Sequence, residues 1–282
     1  MTEKNPGMTF HAALSHGAGR LRDLSTARRD AELLLRHATG RDRAFLLTHA
    51  DEEVAPEQQS RYEQFLTRRA RHEPIQYIVG EQEFYGLALR VTPDVLIPRP
   101  ETEHLVEAAL GRVAKNASVR IADVGTGSGA IAVALAYALP LAAITALDSS
   151  QFALKVARDN AERHKVENRI RFCESDLLDA VVEESFDAIV SNPPYVPDDE
   201  VLEEQVRSYE PHSALYAGPS GLEVYRRLIP QAWQALEPRG WLLMEIGHDQ
   251  RQAIAELVAD WSELEFVNDL QGIPRVACAR RP

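Results

Sequence analysis

The chain has 282 residues, 45% hydrophobic and 26% charged, with 31 Lys and Arg against 43 Asp and Glu for a net charge of -12. That length accommodates one large and one small domain at roughly 100–200 residues each, and the composition is globular rather than disordered or fibrous. No apolar run reaches the ~18 residues of a membrane span, the start MTEKNPGMTFHAALSHG lacks the regions of a signal peptide, and the acidic balance argues against a protein built to grip phosphate backbones, so a cytoplasmic protein is expected.

Before Ile75 there are 12 basic and 11 acidic residues, hence +1, and from Ile75 onward 19 against 32, hence -13. Residues 1–74 read as a small all-α domain. Leu21, Leu24, Ala27, Ala31, Leu34 and Leu35 recur at helical spacing, with Gly40 placed as a C-terminal cap. A second helix is expected over 43–49, and Pro56 opens a third in which Tyr62, Phe65, Leu66 and Ala70 keep the period until Pro74. Arg20, Arg22, Arg28, Arg29, Arg36, Arg41 and Arg43 are interleaved with Asp23, Asp30, Glu32 and Asp42, which reads as a salt-bridged solvated face.

From 76 to 92 the apolar period changes to two, interrupted by Gly80 and Gly86, so a β-hairpin linker is expected within 75–97. Pro100 then opens a helix whose first turn carries Glu101 and Glu103. Beyond it, apolar strands (119–124, 142–148, 170–174, 186–191, 241–246, 264–269 and 275–279) alternate with helical stretches (130–138, 152–164, 222–236 and 250–260), plus a short one at 177–182. The pattern predicts an α/β, doubly wound, mostly parallel seven-stranded sheet as one domain over 98–282. The last two strands lack room for a crossover helix and should pair antiparallel.

The first chemical motif is Asp123-Val124-Gly125-Thr126-Gly127-Ser128-Gly129, which follows the first strand of the alternating region and runs into a helix. Glycines there permit tight turning and close approach of a ligand to backbone N–H groups at a helix N-terminus. The next strand ends in Asp148, suited to two ribose hydroxyls or to capping a helix. The one after ends in Ser175-Asp176-Leu177, where Asp176 can accept from an adenine amino group while Leu177 packs on the ring. A dinucleotide fold reads G-x-G-x-x-G. The G-x-G-x-G behind an acid found here is similar to the S-adenosylmethionine (SAM) loop of class I methyltransferases.

The second motif is Ser191-Asn192-Pro193-Pro194-Tyr195, after the strand 186–191. Two prolines would end any strand, but Asn before them and an aromatic after are not needed for that. Proline has a carbonyl and no N–H, so the Asn192 side-chain carbonyl and the Pro193 backbone carbonyl suit a planar NH2 with two donors, and Tyr195 can lie against the planar group. Such a motif resembles methyltransferases acting on amide or exocyclic amino nitrogens.

Taken in order, Glu73-Pro74-Ile75-Gln76-Tyr77, Phe84-Tyr85-Gly86, Ile97-Pro98-Arg99-Pro100-Glu101-Thr102-Glu103, the glycine loop, Asn192-Pro193-Pro194-Tyr195, Glu210-Pro211, Gly221-Leu222, Glu245-Ile246-Gly247 and Asp269-Leu270 resemble the HemK/PrmC family over nearly the whole chain. The resemblance implies a Rossmann-like class I SAM-dependent methyltransferase domain with a helical N-terminal substrate-recognition domain. It also implies methyl transfer to the glutamine amide of the Gly-Gly-Gln motif of class 1 peptide chain release factors, tuning translation termination. By that resemblance Asn192, Pro193, Pro194 and Tyr195 hold the glutamine, and Gly125, Thr126, Gly127, Ser128, Gly129, Asp148, Asp176, Leu177 and Asn192 hold SAM. The chain departs from the family at Leu177, where an aromatic is common, and at Pro274 in the closing segment.

A methyltransferase acting on an exocyclic amino group of DNA or rRNA shares both motifs, but needs a basic surface and a way to extrude a base. Directly after the second motif comes Asp198-Asp199-Glu200-Val201-Leu202-Glu203-Glu204, which is either a solvated acidic helix start or an electrostatic match to a basic protein loop. A module that binds SAM without catalysis would not need the intact acceptors at 192 and 193. Cys173 and Cys278 sit near no His or Cys at ligand spacing, so no metal is expected, and a monomer without nucleic-acid or membrane partners is the expected state.

Overall fold

The computed structural model describes residues 7–114 and 117–282. The parts of the N-terminal reading that fall on residues 1–6 lie outside the described residues. The described residues form two compact units, one ending at Gly80 and including 203–209, the other comprising 81–202 and 210–282.

The first unit opens with α1 (Phe10–Arg20), whose N-terminus is capped by the Thr9 hydroxyl accepting from Ala12 N. Next come α2 (Ala27–Thr39), closed by left-handed Gly40, α3 (Arg43–Thr48), capped by Asp42, α4 (Pro56–Arg69), with Pro56 in its first turn, and α5 (Ile75–Val79), closed by Gly80. Two expectations shift here. The periodic run from Leu21 to Leu35 is not one helix, because α1 ends at Arg20 and α2 starts at Ala27; Leu21 is buried from the turn between them, since periodicity records burial rather than backbone. Residues 75–79 are helix rather than strand, initiated by Pro74 and terminated by Gly80 at φ 79°. Tyr62 is fully buried in this core and its hydroxyl donates to Ala31 O at 3.1 Å. Arg69 Nε donates to Asp30 Oδ2 at 2.7 Å, and Asp30 also accepts from the Thr26 hydroxyl.

The second unit begins with the hairpin β1 (Glu81–Phe84) and β2 (Leu87–Arg90). Then follow α6 (Glu103–Leu110), after a 3-10 turn over Pro100–Thr102, β3 (Arg120–Val124), α7 (Ala130–Ala138), β4 (Ala143–Asp148), α8 (Gln151–Arg163), β5 (Ile170–Glu174) and β6 (Phe186–Ser191). After α9 (Glu204–Tyr209), which belongs to the first unit, come α10 (Glu223–Ala235), β7 (Leu236–Glu245), α11 (Arg251–Leu257), β8 (Glu263–Asn268) and β9 (Pro274–Arg280). The acidic run from Asp198 is therefore non-helical until Glu204.

The seven strands β3 to β9 form one sheet in the order β5-β4-β3-β6-β7-β9-β8. The first five in that order run parallel; β9 is antiparallel to β7, and β8 to β9, as the short final connection required. Pro274 has no N–H for the ladder, and the β8–β9 register shifts beside it, between Val267 and Asn268. β7 begins at Leu236, five residues earlier than its apolar run implied.

This strand order places the two motif loops. From β3 the chain moves outward one way through β4 and β5, then crosses to β6 and β7 on the other side. The direction reverses between β3 and β6, and a ligand crevice opens outside the carboxyl ends of strands at such a point. The register pairs Val124 with Ser191, and the Ser191 hydroxyl donates to Val124 O at 2.7 Å. The residues immediately following each strand, Gly125 and Asn192, therefore emerge side by side.

Candidate functional site

A cavity of about 590 Å3 opens at these strand ends. Of the residues expected at the site, Gly125, Thr126, Gly127, Ser128, Asp148, Asp176, Leu177, Asn192 and Pro194 line it; Gly129, Pro193 and Tyr195 are not among the lining residues.

The glycine loop has a different reason for each glycine. Gly125, Gly127 and Gly129 all have positive φ, at 73°, 54° and 79°. A Cβ on Gly125 would meet nothing within 4 Å, and one on Gly127 only Gly125 O at 4.0 Å. Both therefore border open space, a cradle that side chains would fill. A Cβ on Gly129 would stand 2.9 Å from Ala157 Cβ, so this glycine serves the approach of α7 to α8. The loop is tied to its surroundings at three places: Gly125 N and Thr126 N both donate to Leu147 O, Gly127 N donates to Asp148 Oδ2 at 2.8 Å, and Ser128 O accepts from Asn160 Nδ2 at 2.8 Å. Asn160 also exchanges two hydrogen bonds with the backbone of Arg90, which joins the hairpin to the loop.

Asp123 is fully buried behind this loop. Its Oδ2 accepts from Thr126 Oγ1 at 2.6 Å and Ala132 N at 3.1 Å, while Oδ1 is buried with no partner among the described residues. Burial pushes its carboxyl up to about 7, against the pull of those two hydrogen bonds. Asp148 Oδ1 accepts from Ser150 N at 2.9 Å, so each of its oxygens already takes one backbone N–H and keeps a lone pair for a ligand; burial raises its carboxyl as well. Asp176 is exposed and ion-paired with Arg227, Oδ2 to Nη2, at 2.5 Å. Leu177 has φ 53°, a left-handed conformation held by neighbours such as Leu178 N, which donates to Gln231 Oε1 at 2.9 Å.

Asn192 sits on the opposite wall. Its Nδ2 donates to Thr102 Oγ1 at 3.1 Å, and among the described residues no donor is bonded to its carbonyl oxygen. The Thr102 hydroxyl donates to Glu245 Oε2 at 2.6 Å, and the Tyr195 hydroxyl to Glu245 Oε1 at 3.3 Å. Tyr195 thus turns its phenol to a buried carboxylate instead of lying along the cavity. Burial, and then the charge of Glu245, raise its phenol. Burial likewise raises Glu245, countered by Thr102, Tyr195 and Arg275. Gln250 secures the loop from behind: Nε2 donates to Tyr195 O at 3.0 Å and to Gly221 O at 3.2 Å, while Oε1 accepts from Gly247 N.

The chain matches the PrmC N-terminal domain family over residues 12–80 and the methyltransferase small domain family over 103–208. A release factor glutamine methyltransferase from Koribacter versatilis is 45% identical over 276 residues, 97% of each chain. One from Coxiella burnetii is 44% identical over 91% of this chain and 92% of its own, and one from Salmonella typhimurium 40% over 97% and 99%. The chain belongs to the release factor glutamine methyltransferase family. The HemK/PrmC resemblance of its motifs is thereby confirmed, and the chain is a methyltransferase.

Solved structures more distant from this family share the fold. A T. thermophilus 16S rRNA N2 G1207 methyltransferase, in complex with AdoMet and guanosine, superposes with TM-score 0.54 at 18% identity, over 72% of this chain and 50% of that one. A methyltransferase from Pyrococcus furiosus gives 0.50 at 19%, over 69% and 88%. Thr102, Glu245, Gln250 and Asn160 also hold the loops of this family member in place, and no local motif marks them in the sequence. Thr102 stood among acids that suffice as helix-start residues. Glu245 ends the apolar run Trp241-Leu242-Leu243-Met244, and a carboxylate inside such a run was the available signal. Glu210 accepts from Ile97 N at 3.0 Å and from Arg99 Nη2 at 2.5 Å, which fixes the segment supplying Pro98, Arg99 and Thr102 to the cavity wall.

Proposed function

We propose that this chain transfers a methyl group from SAM to the side-chain amide nitrogen of a glutamine in a class 1 peptide chain release factor, in the Gly-Gly-Gln motif, and so tunes translation termination in the cytoplasm. The observation that carries this reading is that Asn192, with its amide nitrogen bonded to Thr102 and, among the described residues, no donor on its carbonyl oxygen, lines the same cavity as the glycine loop. The names of relatives at 40–45% identity over nearly full length support the substrate, and the helical first unit would recognise it.

The cavity residues suit the cofactor. Open space above Gly125 and Gly127 accepts a ligand against the backbone, and Asp123, buried behind the loop, holds the loop's shape through Thr126 and Ala132. Thr126, Ser128 and Gly129 shape the loop, the remaining lone pairs of Asp148 would take the ribose hydroxyls, and Asp176 and Leu177 would border the adenine. SAM supplies an electrophilic methyl group on a positively charged sulfur.

An amide nitrogen is a weak nucleophile because its lone pair is delocalised into the carbonyl. Asn192 Oδ1 and the Pro193 carbonyl accept its two N–H groups, which fixes the plane of the amide and turns the nitrogen toward the cofactor side. As the C–N bond formed and the methyl–sulfur bond broke to leave a neutral thioether, the nitrogen would gain positive charge and its N–H groups would become more acidic. Both acceptors then bind more strongly in the transition state than in the ground state. One proton leaves the nitrogen afterwards, so no dedicated general base is needed. Pro193 and Pro194 offer no N–H to compete for either acceptor, and Tyr195 holds the loop through Glu245 and Gln250.

Labelled SAM offered separately with release factor, duplex DNA and ribosomal RNA tests the substrate. Label is expected on the release factor glutamine; label on nucleic acid alone would sink the reading. Asn192→Ala should leave SAM affinity within about threefold while turnover falls by about two orders of magnitude, the scale for loss of a transition-state hydrogen bond.

A further inference from the structure

We propose that Thr102 and Glu245 are positioning residues that lock the Asn192 amide with its carbonyl oxygen toward the cavity, making it an obligate acceptor for a substrate NH2. The inference rests on the reading of Asn192 as the substrate acceptor and extends it to residues outside the Asn-Pro-Pro-Tyr motif.

An asparagine side chain has nearly the same shape in its two flipped orientations, but one presents an acceptor to the cavity and the other presents donors. Nothing in Asn192 itself chooses between them. A threonine hydroxyl has a single proton, and here it goes to Glu245 Oε2 at 2.6 Å. Thr102 Oγ1 is then left with lone pairs only. At 3.1 Å it can take an N–H from Asn192, whereas the flipped amide would set two oxygens against each other with no proton between them. The carboxylate thus fixes the direction of the hydroxyl, and the hydroxyl fixes the amide.

Both members are themselves held. Thr102 and Glu245 are 4% and 2% exposed, in a 3-10 turn and at the end of β7. The other oxygen of Glu245 takes the Tyr195 hydroxyl, and its backbone carbonyl takes the Tyr225 hydroxyl at 2.7 Å. A buried polar chain in which each hydroxyl proton has one acceptor is stiff, and a site that must meet an amide edge-on requires such stiffness. The three residues lie 90 and 143 positions apart along the chain, so only the fold brings the relay together.

The test compares Thr102→Val, Thr102→Ser and Asn192→Ala in the full-length enzyme, measuring SAM affinity by calorimetry and kcat and KM with a release factor. Val keeps the shape of Thr and removes the hydroxyl, while Ser keeps the hydroxyl. Thr102→Val should bind SAM within threefold of the parent enzyme and lose at least tenfold in kcat, and Thr102→Ser should return kcat to within threefold. A Thr102→Val enzyme with normal SAM affinity and kcat within threefold overturns the proposal. Should that variant fail to bind SAM, Glu245→Gln is judged by the same criterion, since a Gln amide can donate into Thr102 and release the hydroxyl proton toward Asn192. If Asn192→Ala is inactive while Thr102→Val is normal, the relay alone is refuted. If Asn192→Ala also keeps its turnover, the underlying role of Asn192 falls with it.

Discussion

Replacing Gly125 or Gly129 by Ala separates cofactor binding from helix packing within one five-residue loop. Both glycines have left-handed backbone, with φ of 73° and 79°. Forcing Ala into that region costs about 1–2 kcal/mol at either position. The two then diverge. At 125 the new methyl meets nothing, so the backbone cost is the whole stability effect. At 129 it stands 2.9 Å from Ala157 Cβ and 3.1 Å from Ala157 Cα, where backbone must yield, and overpacking of this kind adds about 1–3 kcal/mol. For a unit of this size each kcal/mol corresponds to roughly 2–4 °C in melting temperature, so Gly129→Ala should melt about 2–12 °C below Gly125→Ala. Cofactor affinity should rank the other way. The methyl at 125 fills the open space above the loop backbone, and Gly125→Ala should weaken SAM binding by at least tenfold. Thermal melts without ligand and titration calorimetry with SAM measure the two effects. Equal melting temperatures, or undiminished SAM affinity in Gly125→Ala, would refute the division of roles.

Two further outcomes follow from buried charge. The Asp123 carboxyl sits at about 7 in the folded chain against an ordinary 3.8, so the folded state holds the proton more tightly than the unfolded state. Its contribution to stability is complete below about pH 4, declines by at most about 1.4 kcal/mol for each step of one in pH on the way to 7, and is flat above. Asp123→Asn should remove that decline, and urea melts at pH 5 and 7.5 showing the same pH dependence in both proteins would contradict it. In the first unit, Arg69→Met strands the buried Asp30 carboxylate and should cost about 3–5 kcal/mol, whereas Asp30→Leu with Arg69→Met should recover much of it. Denaturant unfolding of the two variants measures the difference, and a double variant no more stable than the single one would show that the cost is not stranded charge.

The amino-acid sequence by itself determined the class of the fold and the two motifs. Alternation of apolar runs with helical stretches is a local property, and it located all seven strands of the main sheet. Glycines with positive φ, and prolines that cannot donate, carry their backbone consequences wherever they occur, so the turns at 125–129 and 192–195, residues of which line the cavity, were legible as breaks after strands. Local pattern failed where burial and backbone part company. Leu21 is buried from a turn, and Tyr77 and Val79 alternate like a strand inside the helix that Pro74 starts and Gly80 ends. Tertiary structure alone decided which residues meet. The reversal of strand order between β3 and β6, and the pairing of Val124 with Ser191, set the glycine loop beside Asn192. The same packing turned Tyr195 to Glu245 and Asn192 to Thr102. A hydrogen bond depends on separation in space, and residues 90 to 143 positions apart carry no local pattern that announces their contact. The choice of acceptor over donor at Asn192 therefore belongs to the fold, although the asparagine itself was plain in the sequence.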